Sequence, residues 1–565
     1  AASGGARGNF ITGGRGLPRL NGRFADEPGG GFSLRLAMAD YVAGDSRLAL
    51  PRFTLERGIE GPYRFAGLVT ASGALPGGRI SGLQLPLEGW WSSAGGLALG
   101  TRCTPVSFAA LRLADLDLQG RRIELCPTEG RAMLSYDKDV QTGLRTSRLA
   151  LAGSIGGSPA RLAAERLVLR YPGPLAIEGL DVRIGAEGAG QTRLSLDRLT
   201  GRLGNSFTGE FAGGAGTLGS IPFALGDMAG RWSFAEGALA IEEASFVLTD
   251  RAPGQPRFEP LEARGASLRF ADSDIAARAR LHHPASDQEV AAVSLRHDLA
   301  AAAGRADIAV DSLTFGPALD VVDLTYLAKG VVAFAEGPVR GRGSVEWAGE
   351  RVTSEGTFAS SGLDFAAAFG PVRGLKGEIR FTDLLALTTA PAQRLEIGSI
   401  NTGVEVLDGR VTFALTDGQK IAISDARWPF MNGELVLRPT VLDFSVPSEK
   451  RYEFAITGLD AATFVAEMEL TNLAVTGTFD GSVPIVFDSS GNGRVENGLL
   501  RARPPGGNVA YIGDLTYEDM GAIANYAFRA LRSLDYRDMS VVLDGSLTGE
   551  IISTFQFDGV RQGEG

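Results

Sequence analysis

The chain has 565 residues, 66 of them acidic and 55 basic, and its formal net charge of −11 comes with no basic cluster able to track a phosphate backbone, which excludes nucleic acid as a partner. Its hydrophobic content of 44 % is ordinary for a folded protein, but glycine, at 77 residues, is roughly twice its usual share, so turns are dense. No run reaches the ~18 apolar residues of a membrane-spanning helix, and the opening AASGGARGNF has neither the charged start nor the apolar stretch of a signal peptide. A segment of a longer exported protein and a cytosolic protein both fit such a start.

In chain order, the first alternation is Phe32, Leu34, Leu36 and Met38 against Ser33, Arg35 and Ala37, with Leu48 and Leu50 after an Asp45-Ser46 break. Period two with one apolar side is the pattern of a strand with one dry face. Cys103 and Cys126 each adjoin strand-like sequence and show no metal-ligand spacing, which suits a bridge between neighbouring strands in an oxidising compartment; two buried free thiols are the alternative. The letters Gly214-Ala215-Gly216-Thr217-Leu218-Gly219 match a dinucleotide fingerprint. A strand, SIPFAL, follows instead of a helix, so a phosphate would find no helix N-terminus. Residues 230–250 read as two or three strands joined through Gly237, and His282, His283 and His297 lie near no ligand set, which favours surface or turn roles.

Helix signals are few. Pro317 to Lys329, bounded by Gly330, reads as one short helix; Asp460 caps a second over about 460–470; Glu518 to Leu534 carries an apolar stripe through Met520, Ile523, Ala527 and Leu531. Its polar face mixes acids with Arg529 and Arg532, so it reads as a cap on a groove mouth and not as a membrane-surface helix.

The clearest stretch runs from Gly374 to Val446. Leu395 and Ile397; Val411, Phe413 and Leu415; Ile421 and Ile423; Leu435 and Leu437; and Leu442, Phe444 and Val446 form successive alternations, with Asp408-Gly409, Asp417-Gly418 and Asn432-Gly433 as hairpin turns. These apolar residues would look the same in a packed sandwich and in a trough holding a guest. Trp90, Trp91 and Trp428 are expected at rims, where an apolar body meets a polar edge. Asp488 to Gly493 imitates the start of a calcium loop, but Leu499 stands where a bidentate Glu is needed, so it reads as a hairpin turn. No nucleophile-base pair is evident, and no catalysis or cofactor is expected.

The expected fold is all-β: an elongated, twisted antiparallel groove of some forty strands with a few short capping helices, extending on the order of 200 Å. Residues 1–315 are expected to form an N-terminal half and 316–565 a C-terminal half containing the helices near 317–329, 460–470 and 518–534. Three short helices cannot roof such a sheet, so its apolar face needs another partner.

The segments PVRGLKGEIRFTDLLALTTAPAQRLEIGSINTGVEVLDGRVTFAL, ARWPFMNGELVLRPT and GTFDGSVPIVFDSSGNGRVENGLLRARPPGGNVAY resemble the YdbH family of the AsmA-like group, to which TamB is related. GSIPFALGDMAGRWSF, SLRHDLAAAAGRADIAVDSLTF and both cysteine positions resemble it as well, over most of the chain and most closely from about Gly330 to Gly559. The resemblance implies a periplasmic, non-catalytic protein, anchored in the inner membrane by an N-terminal helix lying outside this sequence. It would carry phospholipid towards the outer membrane, with tails in an apolar trough and head groups at an open seam. It further implies a C-terminal β-rich continuation and strand addition with a small outer-membrane lipoprotein. The alternative is an envelope assembly factor acting on outer-membrane β-barrel proteins through its strand edges.

Overall fold

Alternation broken by frequent turns, with no helices long enough for crossovers, leaves each strand to pair with the next. Among its described residues, the computed structural model is a single antiparallel sheet of 37 strands that holds 76 % of the chain and does not close into a barrel. It describes every residue except 1–4, 28–29, 76, 189, 204–206, 220, 253, 255, 330–331, 368, 417–419, 444–448, 468–469, 489–491, 513–532 and 562–565. The ladder runs in chain order from Arg7–Gly14 to Ile551–Arg561. Some short strands share a ladder position: Gly96–Leu99 and Thr104–Leu113 both pair with Gly78–Ser92, end to end. The ladder is therefore roughly 30 positions long, a contour on the order of 150 Å and shorter than one position per strand would give. It passes residue 315 without a break, because Ala303–Phe315 pairs directly with Val332–Ala348.

Turn chemistry follows the expected residues in part. Met431 (φ 49°) and Asn432 (φ 60°) occupy the two central positions of the hairpin joining Lys420–Phe430 to Gly433–Leu437, and Glu236 and Gly237 do the same between Phe223–Ala235 and Ala238–Asp250. Asp408-Gly409 is different: both residues lie inside the strand Glu405–Leu415, where Asp408 has φ 53° and its pairing lapses with the register unchanged on either side. It is a mid-strand kink and not a turn. Asp417-Gly418 lies outside the described residues.

That kink belongs to a family. Left-handed residues interrupt strand after strand in mid-course, with register shifts beside Gly213, Asp227, Glu243, Gly265, Gly374, Gly458 and Asn497 and an unshifted register at Arg148 and Gly179. A bulge bends its strand and leaves an amide out of the ladder. A neighbouring strand supplies the missing acceptor: Gly374 N–H donates to Asp364 at 2.7 Å, Gly458 to Asp480 at 2.8 Å, Asn497 to Asp544 at 2.6 Å and Gly82 to Ser72 at 2.9 Å. Repeated along the ladder, these bends form the crease that folds the twisted sheet into a groove. Gly409 marks where the crease admits no side chain, since a Cβ there would stand 2.2 Å from Trp428 Nε1.

The helices are smaller than expected. Residues 317–329 contain two single 3-10 turns, Val321–Asp323 and Tyr326–Ala328, the first closed by a capping box between Asp320 and Asp323. The second helix spans Ala461–Glu467, and Asp460 caps it by accepting from Thr463 N–H at 2.8 Å. The 518–534 helix lies outside the described residues except at its end, where Leu534 opens the strand Leu534–Ser546.

Among the described residues nothing is layered over the sheet, and the buried side chains form no single core. Many gather in six clusters, some of which share half-buried neighbours, while others such as Met38, Phe108 and Leu118 lie outside them, and none of the six includes a residue before Leu180. The accessible surface is 32249 Å², whereas a compact monomer of 59.2 kDa would expose about 19,000 Å².

Candidate functional site

The two faces of the sheet differ in chemistry. On one, Leu395, Val411, Ala426, Leu437 and Phe454 stand opposite one another in a row crossing five strands. Leu415, Ile421 and Leu442 form a second row, Phe413 opposes Ile423, and Leu435 opposes Trp428. All of these belong to one cluster, in which Phe413, Ile423, Ala426, Trp428 and Leu437 are buried and the rest half-buried. Ile397, also buried, sits opposite Gly409 just outside it. Phe444 lies outside the described residues. On the other face, Arg394, Glu396, Arg410 and Arg427 are exposed, and Arg427 is paired with Asp425 at 2.7 Å and Glu434 at 3.4 Å. Exposed pairs of this kind contribute at most about 1 kcal/mol each; their effect is to keep that face wetted.

Apolar alternation found these residues but not the two that seat them. Ala426 is wholly buried, and Trp428, expected at a rim, is only 5 % exposed because its indole wedges into the space left by Gly409. Trp91 does lie at the exposed end of its strand, tilted against Tyr63 at 5.5 Å. Upstream of Leu180 the apolar face continues through Phe32, Leu34, Leu36, Phe53, Leu55 and Phe65, all half-buried, with Phe53 stacked on Phe65 at 6.1 Å.

Two polar groups interrupt the apolar side. His297 follows Val293 and Leu295 in alternation and is half-buried, not a surface residue. The indole N–H of Trp347 donates to its Nδ1 at 3.1 Å. Burial pushes the His297 pKa below its usual value, against weaker opposing effects of the Ala303 backbone and Asp298. A group whose folded pKa is depressed stabilises the fold above the unfolded pKa, about 6.5, and that contribution is lost as pH falls through the lower folded value. Acidification is therefore expected to change Trp347 fluorescence with a midpoint below 6.5, and His297→Phe to abolish that transition. Of the other histidines, His283 closes a turn, its Nδ1 lying 2.9 Å from Ser286 Oγ.

The second group is an ion pair in the loop after Ala238–Asp250. Arg257 grips Asp250 through Nη2–Oδ1 at 2.6 Å and Nε–Oδ2 at 2.9 Å, while the amides of Arg257 and Ala252 donate to the same carboxylate at 2.6 and 3.0 Å. The Asp250 side chain is fully enclosed. Arg257, the second arginine of a proline-rich loop, gave no signal of this in the sequence.

Cys103 and Cys126 are joined, flanking the Thr104–Leu125 pair of adjacent strands at a sequence separation of 23. Closing a loop of that length contributes about 3 kcal/mol in the chain-entropy model. Reduction is accordingly expected to speed hydrogen exchange across 104–127 by about 100-fold, with strands beyond residue 330 unaffected. Among the described residues no group of three His, Cys, Asp or Glu could hold a metal ion, and no helix is long and apolar enough to cross a membrane. The Gly214–Gly219 letters fall within and just after the strand Phe207–Thr217, not before a helix.

A search of curated proteins finds no match. The sequence model of the YdbH-like family, described as intermembrane phospholipid transport protein YdbH, matches residues 2–565. A continuous antiparallel sheet, matched from residue 2 to residue 565 by that model, places this chain in the YdbH-like family of intermembrane phospholipid transport proteins.

Proposed function

We propose that the chain is a bridge-like conduit in which phospholipid tails lie along the apolar face while head groups stay in water. The observation that carries this reading is the missing second layer: among the described residues, a sheet of 37 strands presents an apolar face that neither another sheet nor the short helices cover. Acyl chains would supply the covering, each buried CH₂ contributing about 0.8 kcal/mol. Apolar residues spread along the ladder favour similar binding at every position, and a conduit needs that, because one deep site would trap its cargo. Leu395, Ile397, Val411, Phe413, Leu415, Ile421, Ile423, Leu435, Leu437, Leu442 and Phe444 are the proposed lining of the later part. The halves 1–315 and 316–565 would act as one path, without catalysis.

The disulfide favours an oxidising compartment, so we place the chain in the periplasm, anchored to the inner membrane. A strand from an outer-membrane lipoprotein is proposed to extend the sheet at an edge. Native mass spectrometry of the purified chain tests the reading. Co-purifying two-tailed lipid is the expected result; a chain that purifies dry and takes up no lipid from vesicles would overturn it, and capture of unfolded barrel strands would favour the assembly role.

A further inference from the structure

Twist accumulates along a sheet this long, and here it carries one rim of the groove round to meet the other. The hairpin turns fall alternately on two rims. Asp115, Gly156 and Ser158 lie at turns of one rim; Ser273 and Leu299 lie at turns of the opposite rim, about seven to nine ladder positions further on. Yet Ser273 N–H donates to Asp115 Oδ2 at 3.0 Å, and Ser158 Oγ donates to the Leu299 carbonyl at 2.7 Å.

The same kind of offset recurs three times downstream. Ile221, in a turn of the first rim, is buried against Val345 and Trp347 beside the second, and Arg257 Nη1 donates to the Leu385 carbonyl at 3.1 Å. Gly403 packs so closely on Leu547 that a Cβ would fall 2.0 Å from its carbonyl oxygen. Among the described residues no contact of this kind precedes Asp115, and in that part the apolar face belongs to none of the buried clusters.

We infer that the groove is roofed by a latched seam from Asp115 to Leu547 and is an uncovered trough over residues 5–113, so that the two-tailed lipid of the proposed conduit passes sideways in or out at the trough and lengthwise beneath the seam. The inference rests on the lipid reading for its cargo but not for its geometry. The latches are of two kinds. Hydrogen bonds at Asp115 and Ser158 join rims that water reaches, whereas Arg257 ties the rims from an enclosed ion pair. The seam therefore opens most readily at its Asp115 end, next to the trough.

Cysteine labelling of delipidated protein with a bulky, water-soluble maleimide tests this without any lipid. Leu34 and Leu162 are both half-buried and lie outside the six clusters, one in the trough and one beneath the first latch. The native cysteines, being paired, do not react. Leu34→Cys is expected to label at least about 10-fold faster than Leu162→Cys, the slower site waiting on local opening. Adding Asp115→Ala and Ser158→Ala should bring Leu162→Cys to within about 3-fold of Leu34→Cys. Ser158→Ala alone, which removes one hydrogen bond and no charge, should narrow the gap in the same direction if the double variant loses its β circular dichroism. Equal labelling of the two sites, or a gap that persists when the rim bonds are gone, overturns the seam. A persisting seam in a chain that binds no lipid would instead count against the conduit.

Discussion

Leu395→Glu is expected to slow phospholipid transfer between vesicles by about 100-fold while the lipid recovered with the purified chain falls by no more than about 2-fold. The asymmetry follows from a path in series. A carboxylate among acyl chains costs about 3 kcal/mol, and each 1.4 kcal/mol of barrier is a factor of ten. Every lipid passing that point meets the barrier, whereas lipids resting elsewhere along the ladder do not. Leu395 is suited to the test because it is half-buried, so the strand Gln393–Asn401 can keep its pairing. Its neighbour Arg394 faces the other way, into water, and Arg394→Glu is the control. Equal loss from both substitutions, or transfer unchanged by Leu395→Glu, would rule out this face as the route.

Period-two alternation was enough to predict an antiparallel sheet with few helices. The crease escaped because a hairpin and a mid-strand kink ask the same thing of the local backbone, a residue at positive φ, and Asp408-Gly409 satisfies both. What separates them is the parity of the alternation. Apolar residues fall on Val406 before the pair and on Val411, Phe413 and Leu415 after it, an even-to-odd switch within one strand. Ile241 before Glu243, and Phe246 and Leu248 after it, switch in the opposite sense. A one-residue switch flanked by apolar alternation thus marks a mid-strand kink, readable from letters alone, whether the register shifts there, as at Glu243, or not, as at Asp408. The seam is not readable in that way. Which turns of opposite rims meet depends on twist summed over many strands, and no pair of letters encodes that sum.

The same distance between sequence and structure separates Asp250 from view, and it carries the larger stability effect. Asp250→Ala leaves the Arg257 guanidinium enclosed without its carboxylate, a change that typically costs 3 to 5 kcal/mol, roughly. Because the clusters beside this loop share no residue with the one that spans Gln393–Phe430, the loss is expected to stay local: amides of Ala238–Asp250 and Leu261–Ala271 should exchange faster, and those of Gln393–Phe430 should not. Asp250→Leu combined with Arg257→Met should recover most of the loss, since an apolar pair of similar volume asks for no compensating charge.

The pH dependence gives a separate check. Burial alone would raise the Asp250 pKa, but the hydrogen bond from the Arg257 side chain, the amides of Arg257 and Ala252, and the Arg257 charge together outweigh it and hold the carboxylate below its usual value. A depressed carboxylate contributes its stability in full above the unfolded pKa, about 3.9, and loses it as pH falls through the lower folded value. The difference in exchange between the wild type and Asp250→Ala should accordingly be flat from about pH 5 to 8 and shrink only below about pH 4. A difference that already shrank between pH 7 and 5 would mean that a group other than this carboxylate holds the loop.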